Sequence, residues 1–293
     1  MAEELIHFDM PTNRSSIIKV LGVGGGGSNA VNYMFQQGIK DVDFIVCNTD
    51  SQALSSTPVP VKVQLGSHLT EGRGAGSKPD IGRQAALESL DDVTELLASN
   101  TKMVFITAGM GGGTGTGAAP VIAKAAKEMG ILTVAIVTIP FRFEGRQRVN
   151  HAIEGINELE KYVDSLLVIN NEKLREVYGN LPLSEAFSKA DNVLASAAKG
   201  IAEIITVPGY INVDFADVQT VMKESGVAIM GSGQASGENR AMEAIQDAIT
   251  SPLLNNNDIN GSENILLNIT SGTNEISMYE IGEITDYVAD EVS

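Results

Sequence analysis

Short apolar runs alternate with longer segments of helical spacing through the first two thirds of the chain. The runs at 17–23, 42–47, 59–65, 103–107, 131–139 and 166–169 have the composition of strands. Residues 81–97 and 121–129 carry apolar positions at helical spacing. The run at 131–139 is apolar on both faces, as is typical of a central parallel strand. This alternation predicts an α/β fold with a doubly wound parallel sheet and a ligand at the carboxyl ends of its strands.

The last third of the chain is organised differently. Residues 184–205 form one Ala-rich helical pattern, which is too long for an ordinary crossover and predicts a central helix. Further helices are expected at 214–224, 240–249 and 277–292, and further strands at 227–230 and 265–269. The predicted organisation is therefore a flexible arm at 1–14, a larger domain at 15–183, a linking helix at 184–206 and a smaller α/β domain at 207–293.

Three glycine-rich segments follow predicted strands, at 24–27, 72–77 and 108–120. The third contains six glycines together with Thr114 and Thr116. Glycine has no side chain to hold the backbone away from a ligand, so successive N–H groups can converge on an anion beside a helix start. The two threonines add hydroxyl donors. The pattern predicts a cradle for a phosphate chain, with Ser28 and Asn29 able to cap the helix after the first loop.

Composition narrows the choice of partners. The formal net charge of −17 argues against nucleic acid or an anionic membrane as a direct partner. Cys47 is the single cysteine, which excludes an internal disulfide and is typical of a reducing compartment. The first ten residues lack a basic segment, and the longest apolar run is about half of what a membrane span needs. We therefore expect a cytoplasmic protein without direct membrane insertion, and the three histidines show no metal-binding spacing.

The first glycine loop alone allows another interpretation. Gly22, Gly24 and Gly27, with Asp50 further along, match a dinucleotide fingerprint and would suggest an NAD-dependent oxidoreductase. Such a domain has no use for two more glycine loops, whereas three loops at three strand ends suit a ligand held along its whole phosphate chain. The P-loop and protein-kinase motifs are absent from the sequence.

The glycine segment 111–117 resembles the signature of the tubulin/FtsZ superfamily in residue type, order and spacing. Other segments resemble its FtsZ family of bacterial division proteins, and the resemblance extends from about Ser16 to the end of the chain. It implies that GTP or GDP is the ligand and that Mg²⁺ is carried with the nucleotide. The positions that it implies for the phosphates are Gly25, Gly26, Gly27, Ser28, Asn29, Gly112, Gly113, Thr114, Gly115 and Thr116, with Ala75 and Gly76 at the terminal phosphate.

The resemblance also implies positions for the base and the sugar. Asn171, Phe187 and Asp191 match base contacts, and Glu144 and Arg148 match positions at the sugar and phosphates. A carboxylate can accept both donors on the pairing edge of guanine, whereas adenine presents a donor beside an acceptor. From the residues alone, a solvated Asp191, a core Phe187 and a surface ion pair between Glu144 and Arg148 would be the simpler interpretations.

An acidic pair follows the central helix. Asp214 and Asp217 are three positions apart, so both carboxylates lie on one face of a helix in its first turn. The helix dipole favours acids there, and Asn212 could cap the helix, which is a purely structural explanation. The segment also resembles the loop with which the family completes the active site of a neighbouring subunit. In that case Asn212, Asp214 and Asp217 are catalytic.

The expected function is therefore that of a GTPase that polymerises head to tail into filaments and forms the division ring at mid-cell. Two alternatives stay open at this point: an NAD-dependent oxidoreductase, and a structural filament protein that binds GTP without hydrolysing it. The resemblance further implies additional strands beyond residue 292, a linker, and a tail that binds other division proteins. Because the sequence stops at Ser293, we expect the second domain to lack its last strands.

Overall fold

A computed structural model describes residues 15–178, 182–207, 213–250 and 262–292 of the chain. Within these residues, parallel strands form one seven-stranded sheet in the order β3-β2-β1-β4-β5-β6-β7. The strands are β1 (Ile18–Val23), β2 (Val42–Asn48), β3 (Val61–Gln64), β4 (Met103–Gly109), β5 (Leu132–Ile139), β6 (Ser165–Asn170) and β7 (Gly226–Ala228). The parallel sheet confirms the predicted fold class.

Helices cover both faces of this sheet. The α-helices of the described chain are α1 (Gly24–Gln36), α2 (Ser51–Ser56), α3 (Ser67–Thr70), α4 (Pro79–Glu88), α5 (Leu90–Ala98), α6 (Thr114–Glu128), α7 (Arg146–Leu159), α8 (Asn171–Tyr178), α9 (Leu183–Thr206), α10 (Phe215–Met222), α11 (Arg240–Ile249) and α12 (Met278–Val292). Helices α4 to α7 pack on one face and share an apolar core with alternate strand residues. Helices α1, α9 and α10 pack on the other face. Because both faces are covered, β1, β4 and β5 are buried along almost their whole length.

The central strands are aligned so that their carboxyl ends share one edge of the sheet. Ile18 pairs in register with Val42 on one side and with Met103 on the other. Cys47 lies near the carboxyl end of β2, where it is fully buried. Burial raises the pKa of its thiol to about 12.

Two helices begin earlier than their sequences predict. Helix α6 starts at Thr114 rather than at 121, and Pro120 lies inside it. Helix α1 starts at Gly24, so the segment 24–27 forms its first turn, and Val23 rather than Ser28 or Asn29 occupies the cap position. Glycine, threonine and proline are poor helix formers, but close packing overrides that preference. A methyl group on Gly117 would overlap the carbonyl oxygen of Pro79 in α4, so the two helices approach almost backbone to backbone.

Two further predictions need correction. The helix predicted at 81–97 is divided at Ser89, whose hydroxyl accepts from the Gly66 N–H and donates to the Gln64 carbonyl. Residues 265–269, predicted as a strand, form none, and the side chains of Ile265 and Leu267 are exposed.

The last third of the described chain continues the large sheet before it forms a small separate core. Strand β7 pairs with the first residues of β6, since Gly226 lies opposite Ser165. Helices α11 and α12 then pack together around Ala241, Ile245 and Ile284. The domain boundaries at 183 and 207 stay predictions. Among the described helices, none is both long enough and apolar enough to cross a membrane.

Candidate functional site

The strand order places a crevice at the carboxyl ends of β1 and β4. The chain moves outward from β1 to β2 and β3, and then returns to the other side of β1 to form β4. Ligands of open α/β sheets bind at such a reversal. Here the first turn of α1 closely approaches the end of β4 and the start of α6. A methyl group on Gly26 would lie 3.0 Å from the Gly109 Cα, and one on Gly24 would lie 2.8 Å from the Gly115 nitrogen.

The glycines around this crevice fall into two groups. Some are required by packing: a methyl group on Gly113 would lie 2.7 Å from the Ala75 Cβ, and one on Gly115 would lie 2.6 Å from the Gly109 carbonyl oxygen. Gly27 belongs to the same group because its methyl group would overlap the Thr107 carbonyl oxygen. The other glycines face open space, with no atom within 4 Å of an added methyl group: Gly25, Gly76 and Gly112. This second group marks where a ligand can approach the backbone.

The glycine loop at 72–77 lies against the glycine turn before α6. Ala75 is buried, contacts Gly113, and accepts a hydrogen bond from the Lys78 N–H through its carbonyl. Gly76 has a φ of 58°, which is the left-handed region that favours glycine. The structure therefore brings together all three glycine segments that the sequence singled out, including both Ala75 and Gly76.

Hydroxyl groups line the same turn, but they do different things. The Thr116 Oγ1 accepts a hydrogen bond from the Gly111 N–H at 2.8 Å, so this side chain shapes the turn from within. The Thr114 Oγ1 lies 2.7 Å from the Thr49 Oγ1. The Ser28 hydroxyl is buried and has no hydrogen-bond partner among the described residues, whereas Asn29 is exposed.

A second cluster lies beyond the ends of β5 and β6. Asn171 is buried at the first position of α8, and its side-chain oxygen has no partner among the described residues. Phe187 on α9 is half-exposed and packs edge-on against Phe141, with ring centroids 5.3 Å apart. Phe187 is thus not a core residue. Partial burial raises the pKa of the Asp191 carboxyl to about 6.

Two carboxylates hold the segment between β5 and α7. Glu144 accepts the Phe141 N–H at 3.0 Å and pairs with the Arg148 guanidinium at 2.8 Å. Glu172, which is buried at the start of α8, accepts the Arg142 N–H at 3.1 Å. Sequence reasoning missed Glu172 and Phe141, because their roles depend on tertiary contacts: Glu172 with Arg142, and Phe141 with Phe187. The predicted ion pair between Glu144 and Arg148 is present. These two residues adjoin both parts of the site: Glu144 contacts Phe141, and a methyl group on Gly111 would lie 2.6 Å from the Arg148 carbonyl oxygen.

The acidic pair lies elsewhere. Asp214 is the N-cap of α10: its side chain accepts the Asp217 N–H at 2.9 Å, and the Asp217 carboxylate accepts the Asp214 N–H at 3.1 Å. Asp214 therefore has the capping role that the sequence left open for Asn212, and Asn212 itself lies outside the described residues. Helix α9 begins beside Phe141, near the glycine loops, and its 24 residues span about 36 Å before the chain reaches α10. The structure does not bring the acidic pair to the crevice of its own chain.

The side chains also bear on how a metal ion would be held. Within the described ranges, no group of three or more His, Cys, Asp or Glu side chains is arranged to hold a metal ion. Near the crevice, the Asp50 carboxylate is used to cap α2, where it accepts the Gln52 and Ala53 N–H groups.

A doubly wound sheet with three glycine turns converging at its topological switch point defines a protein of the nucleotide-binding class. Comparison with known families makes the class specific. Residues 17–179 match the model of the Tubulin/FtsZ family, GTPase domain, and residues 226–293 match the model of the FtsZ family, C-terminal domain. The chain belongs to the tubulin/FtsZ family, which speaks against the oxidoreductase alternative.

Individual relatives agree with the family match. The chain is 51% identical to the "Cell division protein FtsZ" of Porphyromonas gingivalis over 99% of its own length, and 56% identical to that of Pseudomonas putida over 92%. It spans 64% and 68% of the lengths of those two proteins. Among solved structures, "FtsZ dimer, empty (M. jannaschii)" has a TM-score of 0.86 and 42% identity, covering 95% of this chain and 80% of that one.

Proposed function

We propose that the chain binds GTP in the crevice between β1 and β4 and hydrolyses it to GDP and phosphate. The family match to a GTPase domain supports this proposal. The single observation that carries it is the meeting of the glycine turns at the sheet reversal, where Gly25, Gly76 and Gly112 leave the backbone open. A triphosphate is an extended anion, and three converging turns can contact more of its length than one turn can.

The phosphates would lie between the starts of two helices. Helix α1 offers Gly25, Gly26, Gly27, Ser28 and Asn29, and helix α6 with its preceding turn offers Gly112, Gly113, Thr114, Gly115 and Thr116. Both helices present unpaired N–H groups and the positive end of a dipole at the crevice, which favours bound anions. Ala75 and Gly76 would approach the terminal phosphate. Mg²⁺ would be bound by phosphate oxygens and water, and would neutralise charge on the phosphates.

The guanosine would occupy the second cluster. Phe187 offers an exposed ring face or edge, and Asn171 offers a buried oxygen that has no partner among the described residues. The Asp191 carboxylate would accept from both donors on the guanine pairing edge. Glu144 and Arg148 lie between this cluster and the glycine turn, which suits contacts with the sugar and phosphates.

Hydrolysis would be completed by a second copy of the chain. Asp214 and Asp217 are exposed, and helix α9 separates them from their own crevice by a distance of tens of ångströms. Carboxylates presented by a neighbour, together with Asn212, would orient and polarise the attacking water. A head-to-tail contact of this kind does not close, so it generates an open filament. We place this filament in the cytoplasm, as the division ring at mid-cell, where other division proteins would bind it.

A mixing experiment tests the shared site. One variant, Gly112→Asp, places a negative charge where phosphate would lie and should not bind GTP. The other, Asp214→Asn, should bind GTP but offer no carboxylate at position 214. Each alone should release little phosphate, and an equal mixture should recover turnover, because the first variant supplies its acids to the nucleotide of the second. An associated mixture that stays inactive would show that the site is complete within one chain.

A further inference from the structure

A buried pair of hydroxyl groups connects the end of β2 with the start of α6. Thr49 follows β2 and is fully buried. Its Oγ1 lies 2.7 Å from the Thr114 Oγ1, and either atom could be the donor on distance alone. The position of Thr49 is fixed by its backbone, since its carbonyl accepts hydrogen bonds from Gln64 Nε2 at 2.8 Å and Thr70 Oγ1 at 3.4 Å.

The direction of this hydrogen bond follows from burial. In the described part of the chain, the Thr49 hydroxyl has Thr114 as its hydrogen-bond partner and no other. If Thr114 donated, the Thr49 hydrogen would be buried without an acceptor, which is energetically unfavourable. If Thr49 donates, the remaining hydrogen is that of Thr114, which retains 9% exposure and can therefore meet an acceptor from outside the fold. Thr49 is therefore the donor and Thr114 the acceptor.

This direction leaves the hydrogen of the Thr114 hydroxyl available. Thr114 is the first residue of α6, with Gly112 and Gly113 directly before it, and it retains 9% of its exposure. Gly112 faces open space, so an oxygen atom of a ligand can reach this end of the helix. The N-cap residue Gly113 has no side chain, and the first N–H groups of α6 point the same way.

We propose that Thr49 is a positioning residue for phosphate binding: its hydroxyl donates to Thr114, and this directs the Thr114 hydroxyl hydrogen at a phosphate oxygen of the nucleotide. This inference rests on the proposed function. It assigns a role to the end of β2, which carries no glycine turn of its own. Hydrogen bonds in such a chain polarise one another, so the donor behind Thr114 also strengthens the bond in front of it.

The test compares a substitution that removes the hydroxyl with one that keeps it. Thr49→Val keeps the shape of the side chain and removes the hydroxyl, whereas Thr49→Ser keeps the hydroxyl. Affinities for GTP, GDP and guanosine are measured by competition against a fluorescent guanine nucleotide. We expect Thr49→Val to weaken GTP and GDP about tenfold, which is a typical effect of one well-placed hydrogen bond. Thr49→Ser should restore binding, and guanosine, which has no phosphate, should bind all three proteins alike.

A double-substitution cycle separates positioning from independent effects. Thr114→Val should weaken GTP binding by itself, because the hydroxyl that meets phosphate is lost. Adding Thr49→Val to Thr114→Val should then cause no further loss, because Thr49 acts through Thr114. Additive losses would mean that the two hydroxyls act separately, and would overturn the inference.

The remaining outcomes also decide the question. If the unchanged protein does not bind GTP, the proposed function itself fails. Three results would show that Thr49 has only a packing role. They are GTP binding by Thr49→Val that is as tight as that of the unchanged protein, a loss of affinity that is as large for guanosine as for GTP, and a loss of affinity that persists in Thr49→Ser. Thermal unfolding of each variant checks folding. Should Thr49→Val not fold, Thr49→Cys gives the same comparison, since a thiol of similar size is a poor hydrogen-bond donor.

Discussion

Asp214 has a structural role and a proposed catalytic role, and one series of substitutions can separate them. Its side chain caps α10 by accepting the Asp217 N–H at 2.9 Å, and the Asp217 carboxylate returns a hydrogen bond at 3.1 Å. Asp214→Ala removes the cap and the carboxylate together. Asp214→Asn keeps a good capping group and removes only the charge. Asp214→Ser is a second capping residue without a carboxylate.

The expected changes in stability follow from the capping geometry. Loss of an N-cap costs about 1 kcal/mol, so Asp214→Ala should lower the melting temperature by about 2–4 °C. Asparagine and serine are capping residues of nearly the same strength as aspartate, so Asp214→Asn and Asp214→Ser should lower it by less. The cap is exposed to water, and a larger loss is not expected.

The expected changes in turnover are different. If the carboxylate orients water at a neighbour's nucleotide, all three substitutions should lower phosphate release by on the order of 100-fold, at unchanged GTP affinity. Phosphate release at saturating GTP, the dissociation constant for GTP and thermal unfolding are measured on the same preparations, at several protein concentrations. Normal turnover by Asp214→Asn together with low turnover by Asp214→Ala would refute the catalytic role, because the cap alone would then explain the effect.

Three further predictions follow from the same site. Because burial raises the pKa of Asp191 to about 6, GTP affinity should fall as the pH drops below about 6. Over the same range the contribution of Asp191 to the stability of the nucleotide-free protein should rise, since the folded state takes up the proton at a higher pH than the unfolded state does. An Asp191→Asn variant with the same pH profile would contradict this. GTP should displace labelled GTP far better than ATP does, since leaving adenine's acceptor opposite Asp191 costs about 1–3 kcal/mol, and equal displacement would end the claim. Gly113→Ala should lower the melting temperature because its methyl group meets Ala75, whereas Gly112→Ala should leave it unchanged; equal melting temperatures would show that packing does not separate the two glycines.

Much of the sheet could be predicted because its strands are buried on both faces. The run at 131–139, for example, is apolar on both faces, and β5 occupies nearly the same residues. The three glycine loops were also visible, since no regular element needs so many glycines near strand ends. The capping role of Asp214 was not predicted: the sequence suggested Asn212 as the cap, because it does not show which residue begins α10.

Other features depend on contacts that no local pattern reveals. The start of α6 at Thr114 requires glycine at 117 because of the backbone of Pro79, which is distant in sequence. The exposed residues Ile265 and Leu267 show strand spacing, yet spacing alone does not supply a partner strand. Thr49 and Glu172 contribute to the site through single hydrogen bonds to distant segments, and such bonds leave no periodic signal in the sequence.

The burial of Cys47 has a practical consequence for studying filaments. The thiolate is the reactive form of cysteine, and a thiol that is fully buried with a pKa of about 12 is neither ionised nor accessible at neutral pH. Maleimide dyes and spin labels should therefore leave the unchanged protein unmodified. A cysteine introduced at any exposed position would be its sole reactive thiol, so single-site labels for distance or assembly measurements need no prior removal of the native cysteine.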